Sequence, residues 1–150
     1  MAEIKLAAAI VVVQDRVLVV RRSYAEGFLP GRWGVPCGKM DRDEDPRAAV
    51  LRELREETGL NGEIIDRVGQ AEFPSFWRGR HVYNLQHNFL VTAIIDPAKV
   101  DADGMPRVDL PKDDQKAEWV RLGDVGEFGL DLHNLRTIRQ GLLAHARRAS

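Results

Sequence analysis

Residues 6–13 (LAAAIVVV) form an unbroken apolar run, the polar Gln14-Asp15-Arg16 interrupts it, and a second β-branched run fills residues 17–20. Short apolar runs separated by a polar break predict two buried strands joined as a hairpin. With Lys5 ahead of it, the first run also has the look of a signal-peptide core, but its brevity and the polar residues that follow fit the hairpin better. No stretch approaches the roughly 18 to 20 apolar residues that span a bilayer. Residues 23–32 carry the Gly, Pro and polar content of a surface loop. Asp45 can cap free N–H groups and Pro46 suits the first helical position. No Gly or Pro follows until Gly59, which suits a left-handed C-terminal cap, so a helix over Pro46–Thr58 is predicted.

Beyond it, residues 63–73 read as a strand bent near Gly69, and residues 74–80 (PSFWRGR) as a loop carrying two aromatics. Residues 81–95 are mostly β-favouring and predict a central strand. Three prolines, a glycine and several aspartates make residues 96–114 an irregular connection. Residues 117–122 predict a short strand around Trp119, and Leu132, Leu135, Ile138, Leu142 and Leu143 recur at helical spacing in a C-terminal amphipathic helix. Strands interleaved with two helices give an α/β class, a mixed β-sheet with helices packed on it.

At 150 residues with 44% hydrophobic content, the chain suits one core and one domain, residues 1–150. Its 22 basic and 23 acidic residues leave a formal net charge of -1, which points away from nucleic-acid and membrane-surface partners and makes any charged function local. The single cysteine, Cys37, excludes an internal disulfide framework and fits a reducing, cytoplasmic compartment.

The chemistry concentrates in the predicted helix. Taking about 100° per residue, Glu57 lies about 40° to one side of Glu53 and Glu56 about 60° to the other, so three carboxylates share a face. Val50, Leu51, Leu54 and Thr58 form a neighbouring stripe suited to burial. Like charges one turn apart repel, so the cluster calls for a cation. Arg52 is one candidate; a hard divalent metal, Mg²⁺ or Mn²⁺, is the other, because the ligands are oxygens and no His or Cys stands at zinc spacing. The glutamates alone fit a solvated helix face equally well.

The wider pattern decides between these. Gly38, Glu44, Arg52-Glu53-Leu54, Glu56-Glu57 and Gly59-Leu60 occupy every specified position of the Nudix box over residues 38–60, and the chain resembles the Nudix hydrolases, MutT-like members included. Residues 33–39 and Glu118-Trp119-Val120 are similar to segments flanking the box. The resemblance implies an α/β/α sandwich carrying a loop–helix–loop metal site, and hydrolysis of a nucleoside diphosphate linked to a further group. It implies that Glu53, Glu56 and Glu57 hold divalent cations, that one of them or a later acidic residue activates water, that Arg52 orients the glutamates, and that Glu44 supports the loop or a further cation. Relatives commonly have Pro-Gly-Gly-Lys where this chain has Pro36-Cys37-Gly38-Lys39. The carbonyl at the first of those glycines often binds metal, and Cys37 supplies the same carbonyl. The departure bears on backbone conformation, since a non-Gly residue at positive φ is unfavourable. With no His partner, Cys37 reads as a small packing residue.

For the substrate, a small nucleotide, Arg22 is similar to an arginine that contacts phosphate in triphosphate-cleaving relatives. Lys39 enters the box, Trp77 is placed to stack a nucleobase, and His81 is the one histidine of four positioned for substrate contact. Glu118 leads Asp113 and Asp114 as a further general base. Residues 71–81 resemble MutT-type triphosphatases, while Pro74 matches a mark of ADP-ribose pyrophosphatases. A non-catalytic nucleotide-sensing Nudix domain is the alternative, disfavoured by the intact Arg52, Glu53, Glu56 and Glu57. A decapping-type enzyme calls for a basic groove that the charge balance does not suggest. Homodimers are frequent among relatives.

Overall fold

The computed structural model describes residues 2–149. The elements are β1 (Ala2–Val13), β2 (Arg16–Arg21), β3 (Trp33–Gly34), β4 (Cys37–Lys39), α1 (Pro46–Thr58), β5 (Gly62–Trp77), β6 (Arg80–Ala93), β7 (Lys116–Arg121), a 3₁₀ turn (Leu122–Glu127) and α2 (Leu132–Ala149). The sheet runs β3-β2-β1-β6-β5, with β4 also on β1 and β7 also on β2. It is mixed: β1 and β6 run parallel from Ala2↔Val82 to Val11↔Val91, and the other pairs are antiparallel.

The continuous apolar run in β1 follows from its position, since both of its faces are covered. Ala7, Ala9, Val11 and Val13 join Val50 and Leu54 of α1 in one apolar cluster. Leu6, Ala8, Ile10 and Val12 join Ile138 of α2 in the other. The sheet is thus the middle layer of an α/β/α sandwich. α2 crosses β1 so closely that a Cβ on Gly141 would stand 2.6 Å from Ile10 Cγ2, a separation only glycine permits.

The helix signals act where the residues place them. Asp45 Oδ1 accepts from the Arg47 N–H at 2.7 Å, and Gly59, at φ 74, donates its N–H to the Arg55 carbonyl. Ala49, Val50, Leu54 and Thr58 are buried, and Leu54→Ala would cost about 2–5 kcal/mol.

The expected loop at residues 74–80 is instead mostly strand: β5 continues through Trp77, and the turn is only Arg78-Gly79. β5 is an edge strand, so the missing N–H of Pro74 can face outward without breaking a ladder. The bend near Gly69 is present as register shifts at Ile64/Asp66 and Arg67/Gly69. In α2 the apolar spacing overstates the buried face, because Leu132 and Leu143 are 58% and 56% exposed while Thr137, Ile138 and Gly141 are buried. Among the described residues no helix is long and apolar enough to cross a membrane.

Candidate active site

β4, held against β1 through Leu6↔Lys39 and Ala8↔Cys37, leads into the loop before α1. Cys37 is an ordinary strand residue, absent from the positive-φ positions among the described residues, so the non-glycine at this place carries no backbone strain. Gly38 leaves room for the Glu53 carboxylate, which a Cβ at this position would push aside.

Arg52 organises the outer half of the site. Its Nε and Nη2 donate to the two oxygens of Glu44 at 2.7 and 2.8 Å, while Nη1 donates to Glu53 at 2.9 Å and Glu56 at 3.0 Å. Nη2 also reaches the Lys39 carbonyl at 3.3 Å, and Asp41 donates its N–H to Glu44 at 2.9 Å. A planar guanidinium shared in this way fixes three carboxylates and the loop together. These bonds hold the Glu44 carboxyl down at about 2, the Arg52 hydrogen bond being the largest cause and the Asp41 N–H the next.

The inner half is dry. Burial pushes the Glu57 carboxyl up to about 8, against the pull of the Arg22 guanidinium; the neighbouring Glu53 carboxylate adds to the rise, and the Cys37 backbone N–H opposes it. Glu53 is raised as well, by burial first, with Arg52 working against it. Arg22 donates from Nη2 to the Cys37 carbonyl at 2.5 Å and lies 5.0 Å over the Phe28 ring. The Cys37 thiol is buried and pushed up to about 12, so it stays protonated and is no nucleophile at neutral pH.

Among the described residues no three His, Cys, Asp or Glu side chains stand in metal-holding geometry. Glu56 is 60% exposed and turned to Arg52, whereas Glu53 is only 14% exposed. The donor chemistry nevertheless fits a hard divalent cation. Glu53 and Glu57 are neighbouring half-buried carboxylates whose mutual repulsion a cation would relieve, and the Cys37 carbonyl is a further oxygen on the adjoining strand.

A narrow cleft of about 90 Å³ joins Arg22, Cys37 and Glu57 to Phe28, Phe73, Gln86, His133 and Asn134. Through Glu26, Leu29, Arg32, Phe73, His133 and Asn134 it continues into a wider one of about 870 Å³. Lys39, Glu53 and Glu56 border a separate groove. Arg22, Lys39 and the three glutamates are therefore brought together around one helix.

Trp77 borders the same groove as Lys39, Glu53 and Glu56, its ring stacked on Phe28 at 5.4 Å and with Lys39 Nζ 5.6 Å from the ring centre. His81 is exposed and packs on Phe76 at 4.4 Å, outside both clefts. Glu118 is exposed in β7 opposite Val19 and borders a groove with Arg16, Asp124 and Glu127, apart from the glutamate cluster.

Sequence reasoning passed over Gln86 and His133. Gln86 Oε1 lies 3.2 Å from His133 Nε2 and accepts from the Cys37 thiol at 3.8 Å, while Gln86 Nε2 donates to Asn88 at 2.7 Å. The signal was present in the strand pattern, since Asn84, Gln86 and Asn88 put polar side chains at alternate positions on one fully buried face of β6. Phe73 packs on His133 at 4.1 Å, and burial lowers the imidazole so that it remains neutral.

Comparison with known proteins agrees with this geometry. An RNA pyrophosphohydrolase of Roseobacter denitrificans is 40% identical over 70 residues, covering 39% of this chain and 44% of the relative. One of Acidiphilium cryptum is 36% identical over 106 residues, 63% of each chain. The chain thus spans less than two thirds of the length of these curated relatives. A MutT protein from Methanosarcina mazei Go1 superposes with a TM-score of 0.72 at 22% identity, covering 96% of each chain, and shows the same fold. The family model described as NUDIX domain matches residues 3–143. The match over nearly the whole chain, together with the Glu44, Arg52, Glu53, Glu56 and Glu57 arrangement, makes the chain a member of the NUDIX family.

Proposed function

We propose that the protein is a Mg²⁺-dependent pyrophosphohydrolase, with Mn²⁺ as a substitute, that cleaves a phosphoanhydride bond in a nucleoside diphosphate linked to a further group. The observation that carries this reading is the half-buried Glu53–Glu57 pair, with Glu57 lining a cleft beside Arg22. Glu53, Glu56, Glu57 and the Cys37 carbonyl would hold the cation, which when bound neutralises phosphoryl charge and acidifies a water.

The chain's own residues do the rest. Arg52 and Glu44 keep the glutamate-bearing helix and its entry loop in register. Arg22 exchanges the Cys37 carbonyl for a phosphate oxygen and so offers its cation as negative charge builds in the displacement. Glu57, which would be ionised once a bound cation displaces its proton, takes the proton of the attacking water. Lys39 adds positive charge from the groove that it shares with Glu53 and Glu56. The nucleoside lies along the cleft of Phe73, Gln86 and His133.

Relatives named RNA pyrophosphohydrolase make a 5′-polyphosphorylated RNA end a second source of the same polyphosphate chemistry. The near-zero net charge favours a small nucleotide over a polyanion. The test is a panel of nucleoside triphosphates, ADP-ribose, NADH, dinucleoside polyphosphates and a triphosphorylated RNA oligomer, with Mg²⁺ or Mn²⁺ in ¹⁸O-water and products read by mass. A phosphoanhydride split with ¹⁸O on one phosphorus product is expected. Binding without turnover anywhere in the panel would replace this reading with a nucleotide-sensing domain.

A further inference from the structure

The irregular connection ahead of β7 does not hang free. Asp114 Oδ2 accepts from Ser23 Oγ and from the Tyr24 N–H, each at 2.9 Å. Arg21 Nη2 donates to the Asp114 carbonyl at 2.7 Å, and Lys112 Nζ approaches Glu26 at 3.5 Å. Every partner belongs to residues 21–26, the segment that begins at the end of β2 and contains Arg22. On the other side of the contact, Leu110, Pro111 and Gln115 line the same cleft as Arg22, Cys37 and Glu57.

These contacts are unusually specific for an exposed loop. Ser23 is buried, with its hydroxyl committed to Asp114, and Ser23 Oγ also accepts from the Ala25 N–H at 3.1 Å, so the serine closes a turn and the strap at once. The wall residues have little regular structure to hold them: residues 109–115 lie between a single backbone bond from Asp109 to the Thr58 carbonyl and the first pair of β7. The Asp114 carboxylate, with the Arg21 and Lys112 contacts beside it, therefore ties the cleft's outer wall to the strand end that presents Arg22.

We propose that Asp114 is a positioning residue, whose bonds to Ser23 and Tyr24 hold the 110–115 wall and Arg22 at the spacing the phosphate chain of the substrate requires. This rests on the hydrolase reading for its kinetic consequence, though the strap itself does not. Loss of the strap weakens capture of the substrate more than it slows the chemistry, because Glu53 and Glu57 sit on α1 and are fixed by other contacts.

The test compares Asp114→Ala, Asp114→Asn and the unaltered protein on a substrate that the panel finds active, with hydrogen exchange measured alongside. Both bonds go to one oxygen, and an asparagine carbonyl can accept both, so Asp114→Asn should stay within about twofold of the unaltered KM. Asp114→Ala should raise KM about tenfold, as expected for losing a charge-assisted pair of bonds, with kcat within about threefold and faster amide exchange at Tyr24 and over residues 110–115. An unchanged KM and exchange pattern in Asp114→Ala would overturn the proposal. So would equal losses in Asp114→Asn and Asp114→Ala, which would assign the effect to charge. If the unaltered protein turns over nothing, the hydrolase reading falls, and exchange at Tyr24 still decides the strap: unchanged protection in Asp114→Ala refutes it.

Discussion

Glu44 and Glu57 are both glutamates of one Nudix pattern, set on either side of Arg52, and their surroundings push them in opposite directions. Glu44 has both oxygens filled by Arg52 and a third donor from Asp41, and its carboxyl is held at about 2. Glu57 lies in the dry half with a second carboxylate beside it and is raised to about 8. The first is a satisfied anion that stabilises the fold. The second is an under-compensated one that the fold tolerates and a cation or proton would relieve. A stability-oriented interior would not keep such a group, which is why the unfavourable electrostatics mark the chemistry.

The largest expected effect separates the two by activity. Glu57→Gln should remove nearly all metal-dependent turnover, by about a thousandfold or more, because it takes away a proton acceptor and a cation ligand together, while circular dichroism stays native. Retained activity would refute its placement in the metal site. Glu44→Gln leaves the inner pair in place and should cost much less activity.

Stability should reverse the ranking. Arg52→Ala strips the partners from Glu44, Glu53 and Glu56 at once, and should lower unfolding free energy by about 2–4 kcal/mol in denaturant titration, less than a fully buried pair because the network is partly solvated. In metal-free protein near neutral pH, Glu57→Gln should raise Tm while Glu44→Gln lowers it. The pH profiles follow with opposite signs. Glu57, with a folded value above its unfolded one, contributes stability that is complete below about 4.5 and is lost as pH rises through about 8. Glu44, with a folded value below its unfolded one, contributes stability present above about 4.5 and lost as pH falls through about 2. Thermal melts of the metal-free protein from pH 5 to 9 should therefore decline less steeply in Glu57→Gln than in the unaltered chain. Parallel slopes would mean that Glu57 is not the raised group.

What could be read from the residues divides along the same line as local and distant contacts. The ends of α1 were legible because Asp45, Pro46 and Gly59 act within a turn of themselves, and the box was legible because Glu53, Glu56 and Glu57 share one helix. Pro74 misled because a proline reads as a break, and only the sheet order shows that β5 is an edge. The cleft lined by Gln86 and His133 was not legible. Gln86 and His133 stand 47 positions apart and meet only because α2 packs on the face of β6.

The smallest expected effect concerns Cys37, where this chain departs from its relatives. The site uses its carbonyl, which accepts from Arg22, and the thiol makes only one long contact with Gln86. Cys37→Ala should accordingly keep kcat/KM within about twofold and cost on the order of 1 kcal/mol through the lost packing of one small side chain. Cys37→Gly should cost somewhat more stability, because the position has ordinary strand φ and gains only unfolded-state freedom from glycine. Native protein should also react slowly with a thiol reagent at pH 7, since the thiolate is suppressed by burial and by Glu57 and Glu53 against the pull of Arg22. A loss of turnover in Cys37→Ala comparable to that of Glu57→Gln would move the sulfur into the chemistry and collapse the distinction between packing and reacting groups in the inner half of the site.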